Sequence, residues 1–100
     1  MLIVRDIFTA KPGQASKLAK LCKKAFGSES NVRVMTDFVA DFNTVVVETE
    51  IQKLAEFEQH MEEYKSGKPD PKIDPQVMEE LSEYTEMYQT GRREIYQVVE

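Results

Sequence analysis

Apolar side chains crowd or alternate along four runs of the chain, Leu2–Ala10, 32–40, Thr44–Ile51 and 92–99; between them they recur at three- and four-residue steps. The first pattern is that of strands and the second that of helices. Run one is rich in β-branched and aromatic residues and ends at Lys11-Pro12-Gly13, so it reads as a strand. After Pro12, the residues Ala15, Leu18, Leu21, Cys22, Ala25 and Phe26 share one helical face, Lys17, Lys20 and Lys24 share another, and Gly27 is placed to end helix one. The runs 32–40 and Thr44–Ile51 flank the short turn Asp41-Phe42-Asn43, which predicts an antiparallel hairpin. Leu54, Phe57, Met61 and Tyr64 mark helix two, starting between residues 49 and 53.

Residues 66–75 contain Pro69, Pro71 and Pro75, which remove backbone donors and push the preceding residues toward extended conformations. This stretch is a break or an inserted loop. Asp74-Pro75 then predicts an N-cap followed by proline at the first helical position. Val77, Leu81, Tyr84, Thr85 and Tyr88 form the stripe of helix three, Gly91 closes it, and 92–99 is the last strand.

The order strand, helix, strand, strand, broken helix, strand predicts an α+β protein. It is the ferredoxin-like β-α-β-β-α-β plan, a four-stranded antiparallel sheet with its helices on one face, and it takes residues 1–100 as one domain. Neither side of these strands is polar. Leu2, Val4 and Phe8 oppose Ile3 and Ile7; Val32, Val34 and Phe38 oppose Met35 and Val39; Val45 and Val47 oppose Val46. A sheet facing water alternates cleanly, so this one is expected to be covered twice. The helices supply one cover, and a symmetric homodimer through the sheet face supplies the other.

A first strand ending in Lys11-Pro12-Gly13, a helix of leucines and lysines, a hairpin and a final strand together resemble the dimeric α+β-barrel superfamily. That group includes antibiotic-biosynthesis monooxygenase-like proteins, haem-degrading monooxygenases and NIPSNAP-type proteins. The resemblance spans essentially the whole chain. It implies a dimer whose two sheets form a shared barrel, with a small-molecule cleft between each sheet and its own helices. Haem-degrading members are similar to one another in using a Trp, an Asn near the first strand and a His on a helix. This chain has no Trp and no Asn in its first strand, and only His60 answers to the helical His. The haem reading is therefore demoted, and no cofactor is expected.

With 100 residues, 41% apolar and 31% charged, there is room for one modest core. A net charge of −5 disfavours nucleic acid and anionic membranes as partners. No apolar run approaches the roughly 18 residues of a membrane span. Cys22 is the only cysteine, which excludes an intrachain disulfide or a multi-cysteine zinc site and points to a cytoplasmic, reducing setting. Charge is uneven: seven basic and three acidic residues in 1–40, six and fifteen in 41–100. The outer faces of helix one and helix three are thus set to attract each other, weakly if exposed.

Four sets of residues carry candidate chemistry. His60 lies about 80° from the middle of the helix-two stripe, at the border of core and solvent. It is a candidate proton shuttle, against the plainer reading of a half-exposed histidine beside acids. Glu56, His60 and Glu63 share a helical face, but one imidazole and two carboxylates make a solvated acidic face rather than a metal site. Tyr64, Tyr84 and Tyr88, with Met61, Met78 and Met87, would line a cleft suited to a flat aromatic or quinone-type ligand; such stripes are more often core. Cys22, on the apolar side of helix one, reads as a packed thiol.

Arg5 and Asp6 are the odd polar pair of strand one and point to opposite faces. One of them is expected at the sheet-to-sheet interface, neutralised by Glu48, Glu50, Arg33 or Arg93 and fixing the dimer register. Recognition of a ligand carboxylate by Arg5 is the second reading. The functional expectation is a small monooxygenase-like enzyme with His60 as the catalytic candidate and Tyr64, Tyr84, Tyr88 and Arg5 at the ligand. The alternative is a non-catalytic, ligand-binding or stress-related homodimer.

Overall fold

The computed structural model describes residues 1–27, 29–67, 71 and 73–100. In chain order it contains β1 (Leu2–Ala10), α1 (Ala15–Phe26), β2 (Val32–Thr36), β3 (Thr44–Ile51), α2 (Leu54–Lys65), α3 (Pro75–Leu81), a 3₁₀ turn (Tyr84–Glu86) and β4 (Tyr88–Gln97). The strands form one antiparallel sheet in the order β2-β3-β1-β4, the expected α+β, ferredoxin-like arrangement. None of its helices is long and apolar enough to cross a membrane, among the described residues. The proline-rich stretch expected at 66–75 falls partly outside the described residues; on its two sides α2 ends at Lys65 and α3 starts at Pro75.

The core lies between the sheet and α1. Leu18 and Val45 are wholly buried, with Ala10, Leu21, Cys22, Val47 and Met87 around them. Pro12 and Gly13 turn the chain from β1 into α1, and Gly13 sits at φ +80°, a left-handed conformation that a side chain would oppose. Lys24 reaches Glu80 on α3 at 3.9 Å, a long contact between two half-exposed side chains that carries out the expected attraction only weakly. α2 is different: it buries none of its residues, and Leu54 on it is 59% exposed.

Two expectations about the strands and helices are corrected. Strand two ends at Thr36, not at residue 40. Asp37 accepts a hydrogen bond on its carboxylate from the Thr44 N–H at 3.2 Å and donates its own N–H to the Thr44 carbonyl at 3.2 Å, so the ladder closes there. A three-residue turn at 41–43 would have set Val34 opposite Glu50; the longer loop sets Val34 opposite Val47 and Arg33 opposite Glu48. Phe38, Val39 and Phe42 consequently stand on the loop, each at least 80% exposed, with Phe42 and Asn43 at positive φ.

Helix three ends at Leu81, not at Gly91. Asp74 caps its start, accepting from the Gln76 N–H at 2.8 Å, and at its end the Ser82 hydroxyl donates to the Glu79 carbonyl at 2.6 Å. The 3₁₀ turn follows, and Tyr88, expected on the helix, begins β4 opposite Ala10. Gly91 lies inside β4 opposite Phe8, where a Cβ would come within 3.3 Å of the Phe8 ring. The glycine is therefore a point of close approach rather than a helix stop.

On the sheet face away from the helices, one row crosses all four strands: Arg33, Glu48, Arg5 and Glu94. Arg5 Nε donates to Glu48 Oε2 at 2.9 Å, and Arg33 also bonds Glu48. The Glu48 side chain is only 6% exposed, although it stands on the uncovered face, because the two arginines lie over it. Burial pushes its carboxyl up, but the hydrogen bonds and charges of Arg5 and Arg33 outweigh this and hold it below the usual carboxylate range. Glu94 is held low as well, by the hydrogen bond from the Tyr96 hydroxyl at 2.5 Å and by Arg92 and Arg5. The next row, Met35, Val46, Ile7 and Arg92, is mostly apolar.

Unequal docking of the helices predicts unequal losses. Leu18→Ala should cost about 2–5 kcal/mol in denaturant unfolding, and Leu54→Ala about 0.5 kcal/mol or less. Glu48 titrates lower folded than unfolded, so its contribution is present above its unfolded pKa, near ~4.3, and is lost as pH falls through the folded value. Glu48→Gln should lower stability at neutral pH by about 1–2 kcal/mol and flatten the acid limb of a stability-against-pH curve.

Candidate ligand-binding site

Strand alternation sends Asp6 to the same side as Val4 and Phe8, toward the helices. Its neighbour on β4 is Arg93, whose Nε donates to Asp6 Oδ1 at 2.5 Å. α2 lays Phe57, Met61 and Tyr64, spaced i, i+4 and i+7, along this ground. The Arg93 guanidinium stands 5.1 Å from the centre of the Phe57 ring, and its Nη1 donates to Met61 Sδ at 3.4 Å. Arg93 is thus held between a carboxylate below and an aromatic face above.

One helical turn further on, the Tyr64 hydroxyl meets the Tyr84 hydroxyl at 3.2 Å. The Tyr84 ring lies 5.7 Å from that of Tyr88, which lies 4.8 Å from Phe8. Four rings therefore step from Tyr64, 67% exposed on α2, down to Phe8 on the sheet beside Asp6 and Arg93. Burial, and then the hydrogen bond to Tyr64, push the Tyr84 phenol well above its ordinary pKa. Tyr84 is accordingly neutral at physiological pH and able to give or take a hydrogen bond, while the ring faces can stack on a flat molecule.

The three tyrosines expected at one site are together, by a route the sequence reading did not foresee: Tyr64 comes from α2, Tyr84 from the 3₁₀ turn and Tyr88 from β4. Met61 is held at Arg93, and Met87 is buried in the core cluster against which Tyr84 and Tyr88 pack. His60 is exposed on α2, one residue and about 100° around the helix from Met61. Arg5 is not brought to the tyrosines; it lies across the sheet, paired with Glu48. Asp6, Arg93 and Phe57 were missed as site residues. The signal for the first was present, since Asp6 falls between Val4 and Phe8 at two-residue steps.

Cys22 is buried, and burial together with the negative charge of Asp6 pushes its thiol up to about 11, so the thiolate that would act as a nucleophile is scarce. Glu56 accepts from the Gln52 N–H at 3.1 Å and Glu63 from the Gln59 side chain at 3.4 Å. Among the described residues no three His, Cys, Asp or Glu side chains gather as a metal site. A surface groove of about 370 Å³ runs between α1 and α3, lined by Lys17, Lys20, Leu21, Lys24, Glu80, Glu83 and Met87. It touches neither His60 nor the tyrosines.

No family model matches the chain, and no curated protein does. Solved structures do match. A NIPSNAP domain protein from Burkholderia xenovorans, uncharacterised in function, superimposes with a TM-score of 0.71 at 12% identity, over 99% of this chain and 95% of that one. A NIPSNAP family protein from Agrobacterium tumefaciens gives 0.74 at 9% identity, over 98% and 85%. A candidate antibiotic-biosynthesis monooxygenase from Deinococcus radiodurans gives 0.61 at 15% identity, over 100% and 94%. The chain has the fold these proteins share.

Proposed function

We propose that this protein is a homodimer that binds a flat aromatic or quinone-type small molecule between the sheet and α2. The observation that carries the reading is the Tyr64–Tyr84 hydroxyl pair at 3.2 Å, joined to the mutually tilted rings of Tyr88 and Phe8. The pair offers polar atoms at the outer end of an aromatic cluster. Its outer member rides on a helix that buries no residue of its own, so a ligand can lift α2 at small cost in packing. Arg93, neutralised by Asp6, stands at the other end and can meet an oxygen of the ligand.

The resemblance to monooxygenase-like proteins makes oxygen chemistry on an electron-rich ring the reaction to look for. In that role His60, beside Met61 at the rim, is the group able to move a proton. A second reading is a non-catalytic ligand-binding or stress-related homodimer. It is favoured by the surface groove lying along α1, away from His60 and the tyrosines.

A panel of 1,4-naphthoquinone, its quinol and anthraquinone should raise the melting temperature. Tyr84→Phe and Tyr64→Phe should weaken binding by about fivefold each, the effect of one hydrogen bond of about 1 kcal/mol, whereas Tyr88→Phe, which keeps the ring, should change it little. Under the enzymatic reading His60→Ala keeps the thermal shift and abolishes quinol-dependent oxygen uptake. If no flat ligand shifts the melting temperature, the site is plain core; if ligands bind but oxygen uptake is absent in the unaltered protein, the non-catalytic reading stands.

A further inference from the structure

Of the 4 tyrosines in the chain, two touch at their hydroxyls: Tyr64 on α2 and Tyr84 on the 3₁₀ turn, 20 positions apart in sequence and 3.2 Å from oxygen to oxygen. Together with Arg93 at Phe57 and Met61, this pair holds α2 down. A phenol that loses one electron and its proton becomes a radical whose unpaired electron is shared between the oxygen and the ring carbons, those next to the C–OH carbon among them. Two such radicals in contact join through these carbons, and the product, dityrosine, carries its hydroxyls side by side. A pair whose hydroxyls already meet therefore stands close to the product's arrangement.

The tyrosines differ in reach and freedom. Tyr64 is exposed to an oxidant in solution and rides on a helix that buries none of its residues, so its ring can shift at little cost in packing. Tyr88 is half-buried, with its ring between Phe8 at 4.8 Å and Tyr84 at 5.7 Å, and has no such freedom to swing onto its neighbour. Tyr96 stands on the other face of the sheet, bonded to Glu94.

We infer that Tyr64 and Tyr84 are the site of an oxidative cross-link that staples α2 to the 3₁₀ turn. Each phenol gives up one electron and one proton, and a ring carbon of Tyr64 bonds to a ring carbon of Tyr84. The hydrogens on those two carbons then move to the oxygens, which restores both hydroxyls. The two electrons go to a peroxide: with hydrogen peroxide and a peroxidase, the products are one dityrosine and two waters. Like a disulfide of the same span, the bond constrains the chain between its ends, and it holds α2 where the hydrogen bond alone lets it lift.

Treatment with hydrogen peroxide and a haem peroxidase should give dityrosine fluorescence and join the tryptic peptide 54–65 to the peptide 73–92 through Tyr84. In a mixture of isotopically labelled and unlabelled chains, both halves of the joined peptide should carry the same label. Amide exchange over α2 should slow at least about tenfold, and that over α1 should stay as it was. Tyr64→Phe and Tyr84→Phe should each abolish the link, whereas Tyr88→Phe and Tyr96→Phe should leave it in place; if Tyr84→Phe fails to fold, Tyr64→Phe, at an exposed position, carries the test. No dityrosine, a link from Tyr84 to Tyr88, a link formed only between chains, or a link that leaves exchange over α2 unchanged would each overturn the staple. The cross-link needs no ligand beneath α2, so it and the ligand panel above succeed or fail separately.

Discussion

Adjacent residues on β1, Arg5 and Asp6, carry opposite charges to opposite faces of the sheet, and both faces are organised around the partners they find there. Above the sheet, Asp6 holds Arg93 in reach of Phe57 and Met61 on α2. Below it, Arg5 and Arg33 close over Glu48 until a carboxylate on a bare face is nearly shut off from water. A charge at the centre of a sheet is costly unless paired and hydrogen-bonded. Both pairs depend on one register, in which β1 lies between β3 and β4 with Arg5 opposite Glu48 and Asp6 opposite Arg93. A slip of one residue would set apolar side chains against charged ones on both sides at once.

The division of labour between the helices follows from the same sheet. α1 covers its apolar half, over Val45, Val47 and Ala10, and is held by Leu18, Leu21, Cys22 and Ala25. α2 covers the half that contains Asp6 and Arg93, and there the apolar contacts are few. Its hold comes from a cation over a ring, a sulfur contact and a hydroxyl pair. Such contacts are weaker and more easily exchanged for a ligand than close-packed aliphatic ones.

Much of this architecture was legible in the chain. β1, β3 and α1 were marked by alternation, by three- and four-residue steps and by Lys11-Pro12-Gly13, and the order of elements was enough to name the sheet. The elements misread were those where local signals pointed away from tertiary ones. Phe38 and Val39 have strand-forming side chains, yet register against β3 ends the ladder at Asp37. Tyr84 and Tyr88 recur at helical spacing, yet the chain leaves the helix at Ser82; the rings still meet because a 3₁₀ turn and a strand start return them to one side. The tyrosine cluster was therefore foreseen for a reason that was only half right. Arg93 could be named as one possible partner of the Arg5 and Asp6 pair, but not its place on the helix side of the sheet, which depends on strand pairing 87 positions away and on the placement of α2.

The shielded thiol of Cys22 gives this fold an internal clock. Alkylating reagents attack thiolate, and Cys22 offers little of it while α1 lies on the sheet. Its modification must wait for α1 to lift away, so the labelling rate under native conditions counts the openings of the core helix. No foreign probe has to be added, and the motion of α1 can be timed separately from that of α2, where no cysteine stands.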